Sequence, residues 1–240
     1  MKKKKSLEKR RKSFSFKFSK LIIRIISRKP KYYFLGEEFS ADKPFLFIVN
    51  HCGKKSPTKL EVYFKHDIRI WGTHEMTEGT KAIHKYLTRT YYHEKRHLPK
   101  WFAWIVGTIV TPFVAGFYKG MRLIPTYTDL RFAVTLRESI NAIKNNINLV
   151  IFPEDSKDGY KDKIEYFYSG FVKVLDHLLK KGIDIPIYIG YLQKKKNTFV
   201  IDNPINYSIM KEKYNSDDEI AEACRIRLNE LGDYIIPKRK

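Results

Sequence analysis

Apolar positions along this chain follow two rhythms. Short, nearly unbroken runs occur at Phe45–Val49, Ile68–Trp71, 148–152, Ile185–Ile189 and Thr198–Ile201. They are too short for helices and predict buried strands. Leu123-Ile124, stopped by Pro125, is a further candidate strand. Between the runs, apolar residues recur at helical spacing. Over 129–145 the repeat is Phe132, Val134, Leu136, Ile140 and Ile143, with Asp129 where an N-cap belongs. Residues 169–181 predict a second helix, with Gly182 placed to cap it, and 216–232 predict a last amphipathic one. Strands alternating with helices predict an α/β fold: a mixed, largely parallel sheet flanked by helices. No internal repeat is visible.

Two segments fit neither rhythm cleanly. Residues 101–118, WFAWIVGTIVTPFVAGFY, are the most apolar stretch and lie between Lys100 and Lys119. The stretch is at the lower length bound for a bilayer span, and Gly107, Pro112 and Gly116 weaken a helix. It predicts a buried or membrane-dipping hairpin. Near the N-terminus, helical spacing gathers Phe18, Leu21, Ile22, Ile25 and Ile26 on one side, with Lys17, Lys20, Arg24 and Arg28 off it. Such a helix suits a headgroup layer, and one docked on its own domain fits the same pattern. The segment is too short and too charged to span a bilayer, and no small-x-small cleavage site marks it as a signal peptide.

Charge sharpens this picture. The 240 residues carry a formal +21, and 1–31 hold fourteen Lys or Arg against the single acid Glu8. The reading is therefore a basic, amphipathic, membrane-interacting arm over 1–31 and one α/β domain over 32–240. An arm of that charge seeks polyanions, and an anionic membrane surface is the expected partner. Nucleic acid ranks below it, since no RNP, KH, zinc-finger or helix-turn-helix signature accompanies the charge. With 43% hydrophobic residues the chain has material for a packed core, which excludes a mostly disordered protein. Cys52 and Cys224 are too few for a disulfide framework and predict reduced thiols.

Two predicted strands end in polar residues that a core does not need: Asn50-His51 and Pro153-Glu154. Open α/β sheets gather ligands beyond the carboxyl ends of their strands, and a histidine there is a candidate base near neutral pH. The order of the pieces is more specific: N-H at 50–51, G-M-R-L-I-P-T at 120–126, F-P-E-D-S-K at 152–157 and I-P-I at 185–187. This set resembles the glycerolipid acyltransferases typified by 1-acylglycerol-3-phosphate (lysophosphatidate) acyltransferase, whose blocks N-H-x4-D, G-x-x-F-I-x-R, F-P-E-G-T-R and V-P-V run in that order. The resemblance covers roughly residues 40–205.

The resemblance implies His51 as general base. It would take a proton from the hydroxyl of a lysophospholipid-like acceptor, whose oxygen attacks the thioester of acyl-CoA or an acyl carrier protein. No metal or prosthetic group is implied, and His74-Glu75 lacks the second histidine of an H-E-x-x-H site. By the same resemblance Lys54, Gly120, Arg122, Thr126, Phe152, Pro153, Glu154, Asp155, Ser156 and Lys157 would line the acceptor or phosphate pocket. The reaction would sit at the cytoplasmic face of a membrane, on a peripheral or monotopic protein. The departures are specific. Ser56 stands where the family has the aspartate that orients the imidazole, Thr126 where it has arginine, and Asp155-Ser156-Lys157 where it has Gly-Thr-Arg. A serine carries no charge to stabilise an imidazolium. A catalytically silent lipid- or membrane-binding relative is the alternative reading.

Overall fold

The structure, a computed structural model, describes residues 13–53, 55–155 and 159–237. The basic run 1–12 and the candidate residues Lys54, Ser156 and Lys157 lie outside the described residues. The chain divides into two compact units, each made of separated segments.

The sheet unit comprises Lys29–Ile68, Leu136–Asp155 and Lys161–Lys240. Its strands are β1 (Lys31–Phe34), β2 (Leu46–Val49), β5 (Asn148–Ile151), β6 (Pro186–Gln193), β7 (Thr198–Ile201) and β8 (Ile205–Asn206). β3 (Ile68–Thr73), but for Ile68, and β4 (Ile124–Thr126) belong to the other unit. Lys31, the last residue of the stretch read as an arm, is thus the first residue of a strand. The order is β1-β7-β6-β2-β5, with β8 on the free half of β6. β1 with β7, β2 with β5 and β2 with β6 run parallel; β7 and β8 lie antiparallel to β6. The expected mixed, largely parallel sheet is present.

β2 lies in the middle of the parallel part, and every residue from Phe45 to Val49 is at most 2% exposed. A strand covered on both faces has no polar side to alternate with, which is why its sequence is an unbroken apolar run. Asn148 pins the lower edge. Its Oδ1 accepts from the Phe45 N–H at 3.0 Å and its Nδ2 donates to the Asp67 carbonyl at 2.8 Å. Helices α2 (Lys55–Tyr63), α6 (Gly170–Leu179), α7 (Tyr207–Lys213) and α8 (Asp217–Asp233) belong to this unit. Gly182, at φ +73°, ends α6 as its position in sequence predicted.

The helical unit comprises Met1–Arg28, Arg69–Thr135 and Ser156–Tyr160. It holds α1 (Phe14–Ile26), most of β3 (Ile68–Thr73), a 3-10 turn (His74–Met76), α3 (Thr80–Lys85), a π-helical stretch (Tyr86–Glu94), α4 (Lys100–Gly120) and β4 (Ile124–Thr126). β3 and β4 pair in parallel, with Thr73 opposite Thr126. α5 (Phe132–Lys144) crosses from this unit to the other.

The hairpin expected over 101–118 is not formed: α4 is one helix of 21 residues. Pro112 sits on its exposed side, where the missing N–H costs least. The glycines are not breaks but points of close approach. A Cβ on Gly107 would lie 2.4 Å from Thr88 Cγ2, and one on Gly120 would lie 2.1 Å from the Phe16 ring. α1 docks there, with Phe16 stacked on Phe117 at 5.7 Å between centroids.

Candidate active site

Asn50 and His51 leave the carboxyl end of β2 between the ends of β5 and β6. Asn50 is 4% exposed and is spent on architecture. Its Oδ1 accepts from the Leu192 N–H at 2.7 Å, and its Nδ2 reaches the Leu192 carbonyl at 3.5 Å. That pair ties the strand end to β6 and fixes where the next residue emerges. His51 is half-buried. Its backbone N–H donates to Glu154 Oε1 at 3.0 Å, and its ring lies 4.9 Å from that of Phe152. The histidine and the Phe-Pro-Glu turn, 103 residues apart in sequence, are therefore one constellation. Glu154 is itself held by a bridge to Phe167, and Pro153 lends its carbonyl to the Tyr168 N–H at 2.8 Å.

The ring is oriented by an unexpected partner. His51 Nδ1 is hydrogen-bonded to the backbone carbonyl of Gly53. A carbonyl can only accept, so Nδ1 carries the proton and the lone pair falls on Nε2. Two successive left-handed residues, Cys52 at φ +47° and Gly53 at φ +68°, turn the chain back so that this carbonyl faces the ring. α2 starts immediately after, with the Lys55 N–H on the Cys52 carbonyl and the Ser56 N–H on the His51 carbonyl, each at 3.3 Å.

Ser56 is wholly buried, and its hydroxyl makes no hydrogen bond among the described residues. The Ser56 hydroxyl is not bonded to the imidazole; a main-chain oxygen is. This oxygen fixes the tautomer as a carboxylate would, but it brings no negative charge.

The surroundings are mixed in charge. Burial pushes the Cys52 thiol up, Lys55 and Lys194 pull it back, and Asp162 and Glu154 push it further. Burial and then the neighbouring Lys55 hold the Lys59 ammonium below its ordinary value. The Tyr191 hydroxyl donates to the Asp162 carbonyl at 2.5 Å. Burial first, then Asp162, Cys52 and Glu154, push that phenol up to about 12. Thiol and phenol are thus neutral near pH 7. Cys52, Gly53, Lys59, Tyr191 and Lys194 were not singled out as site residues from the sequence. Gly53, two residues past a strand-terminal histidine, carried the one usable signal; the others are brought in by folding.

The remaining predicted residues are placed as follows. Asp155 is exposed, and its N–H donates to the Tyr166 carbonyl at 3.2 Å. Gly120, Arg122 and Thr126 belong to the helical unit. Gly120 abuts Phe16; the Arg122 carbonyl accepts from Arg69 Nε at 3.0 Å; the Thr126 hydroxyl donates to the Gly72 carbonyl at 3.1 Å. Among the described residues no group of three or more His, Cys, Asp or Glu stands close enough to hold a metal ion.

No protein-family model matches this chain, and no curated protein matches it. Among solved structures it is similar to the crystal structure of the 1-acyl-sn-glycerophosphate (LPA) acyltransferase PlsC from Thermotoga maritima. The identity is 14% and the TM-score 0.47, over 96% of this chain and 81% of that one.

Proposed function

We propose that this chain is an O-acyltransferase. It moves a fatty acyl group from the thioester of acyl-CoA or an acyl carrier protein to a hydroxyl of a lysophospholipid-like acceptor, with His51 as general base. The observation that supports this most is the placement of His51 at a strand end beside the Phe152-Pro153-Glu154 turn, with its Nδ1 on the Gly53 carbonyl. With the proton on Nδ1, Nε2 accepts the hydroxyl proton as the acceptor oxygen attacks the thioester carbonyl. The tetrahedral intermediate collapses by breaking the C–S bond. The imidazolium returns its proton to the leaving thiolate, so the enzyme ends as it began. Glu154 holds the His51 main chain, and Lys55, Lys59 and Lys194 supply positive charge near the anionic parts of the substrates. The acceptor-binding roles of Lys54, Gly120, Arg122, Thr126, Asp155, Ser156 and Lys157 rest on the sequence resemblance alone. The thioester is a co-substrate, and the proposed reaction calls for no metal or prosthetic group. Acceptors of this class live in membranes, so we place the reaction at the cytoplasmic membrane face.

The test is acyl transfer from long-chain acyl-CoA and from acyl carrier protein to lysophosphatidate and other lysophospholipids. Replacing His51 by Ala is expected to lower the rate by about 10²–10⁴-fold, the usual contribution of a general base. Equal rates would remove His51 from the mechanism. The uncharged partner of the imidazole and the buried Ser56 favour one second reading, a catalytically silent lipid-binding relative. That reading gains if no acceptor is acylated by the wild type or by the Ser56→Asp variant.

A further inference from the structure

A strap of chain beyond the Phe-Pro-Glu turn comes back to pair with it. Glu154 bridges Phe167 in the antiparallel sense. The Asp155 N–H donates to the Tyr166 carbonyl at 3.2 Å, and the Tyr168 N–H donates to the Pro153 carbonyl at 2.8 Å. Side chains alternate across such a ladder, and residues opposite each other share a side. Glu154 and Phe167 take the inner side, where Glu154 holds the His51 N–H and Phe167 is buried. Asp155, Tyr166 and Tyr168 take the outer side, and all three are exposed. The two phenol rings stand edge to face, with 5.2 Å between centroids and 88° between planes. The strap is held from behind by α8. Asn229 accepts from the Ile164 N–H at 2.9 Å and donates to the Ile164 carbonyl at 2.8 Å, and Arg225 Nη1 donates to that carbonyl at 2.7 Å. A backbone fixed in this way leaves little to be ordered when a ligand binds.

Open aromatic faces beside a carboxylate are the chemistry that recognises an ammonium group. The ring quadrupole attracts the cation, and the carboxylate balances its charge. We propose that Asp155, Tyr166 and Tyr168 form a subsite for a cationic acceptor headgroup, so that this chain acylates lysophospholipids bearing choline or ethanolamine in preference to lysophosphatidate. The inference rests on the acyltransferase reading and deepens it. Asp155 stands where the enzymes of the resemblance carry glycine. An acid there repels a bare phosphate monoester and attracts an ammonium. Over 161–168 the lysines Lys161 and Lys163 are matched by Asp162 and Glu165, so Asp155 sets the local sign. In such an acceptor a glycerol carbon, a phosphodiester and an ethylene unit separate the ammonium from the reacting hydroxyl. That reach lets the headgroup lie on the outer side of the ladder while the hydroxyl meets His51 Nε2 on the inner one.

The first arm of the experiment needs no turnover. Phosphocholine and glycerol 3-phosphate are titrated into the full chain and followed by NMR. The trimethylammonium signal of phosphocholine should move upfield, as protons over a ring face do. Tyr166→Leu with Tyr168→Leu, and separately Asp155→Asn, should each weaken phosphocholine binding at least about fivefold, and neither should weaken that of glycerol 3-phosphate. Tyr166→Phe with Tyr168→Phe keeps the ring faces and should bind phosphocholine within about twofold of the wild type, which separates the rings from their hydroxyls and from folding. The second arm is acyl transfer. Lysophosphatidylcholine or lysophosphatidylethanolamine should exceed lysophosphatidate in kcat/KM, and Asp155→Asn should shift that ratio toward lysophosphatidate at least about fivefold. Acylation of no acceptor, with phosphocholine binding intact and sensitive to the variants, would defeat the acyltransferase reading while supporting the cation site. No phosphocholine binding, binding that neither the Asp155 nor the paired leucine variant alters, or a wild-type preference for lysophosphatidate would each overturn the proposal.

Discussion

His51 and Gly53 make one unit: the histidine supplies the ring, and the glycine supplies the oxygen that its Nδ1 is bonded to. The carbonyl of Gly53 sets the tautomer, and the left-handed backbone at Cys52 and Gly53 aims it. A Cβ on Gly53 would meet nothing within 4 Å, so substitutions there test conformation rather than packing. Gly53→Val is expected to cut acyl transfer at least about tenfold, since a β-branched residue resists a positive φ. Gly53→Asn, which tolerates that region, should retain most of the rate. The check independent of turnover is the imidazole nitrogen NMR spectrum, in which the wild type shows its proton on Nδ1 and Gly53→Val loses that preference. Ser56→Asp places a carboxylate in a wholly buried position that does not touch the ring. It should cost about 3 kcal/mol by denaturant melts, as unpaired buried charges do, and bring no gain in rate. A tenfold gain would show that the ring turns to the new carboxylate. The sequence marked His51 and Glu154 because strand ends are legible locally. It could not show that the serine five places after His51 would point elsewhere, since that depends on where α2 packs.

At the scale of elements, most strands and helices follow from periodicity. The helix predicted over 216–232 forms at Asp217–Asp233, with the Ser216 hydroxyl accepting from the Glu219 N–H at 3.2 Å. Ser216→Ala should therefore lower the stability of the chain by about 1 kcal/mol, measured by thermal or urea unfolding. α2, β1 and α7 were not anticipated, because their short, mixed sequences take order from neighbours rather than from any period of their own. α4 is the instructive error. Gly and Pro were read as helix breakers, yet two of its glycines are needed where another side chain comes close. Gly120→Ala forces a methyl into the Phe16 ring and is expected to loosen α1. Limited trypsin digestion should then cut at Lys17 and Lys20 several-fold faster than in the wild type, with cleavage elsewhere unchanged.

For the whole molecule, acid resistance is set partly by Asp176, which joins α6 to α7. Its Oδ1 accepts from the Tyr207 hydroxyl at 2.6 Å and lies 3.1 Å from Lys211 Nζ. Burial pushes the carboxyl up, but the Tyr207 and Lys211 contacts outweigh it and leave the value below the usual carboxylate range. A carboxylate depressed by folding contributes stability above its unfolded value, near 3.9, and loses it as pH falls through the folded one. The melting difference between wild type and Asp176→Asn should be full at neutral pH and shrink toward zero below about pH 4. By itself the sequence determined the alternation of strands and helices, the basic N-terminal charge and the residues at two strand ends, because each is a local property of composition or period. Only the tertiary structure decided what holds the imidazole and which side of α4 faces outward. Both depend on which distant backbone comes near, and no spacing along the chain encodes that.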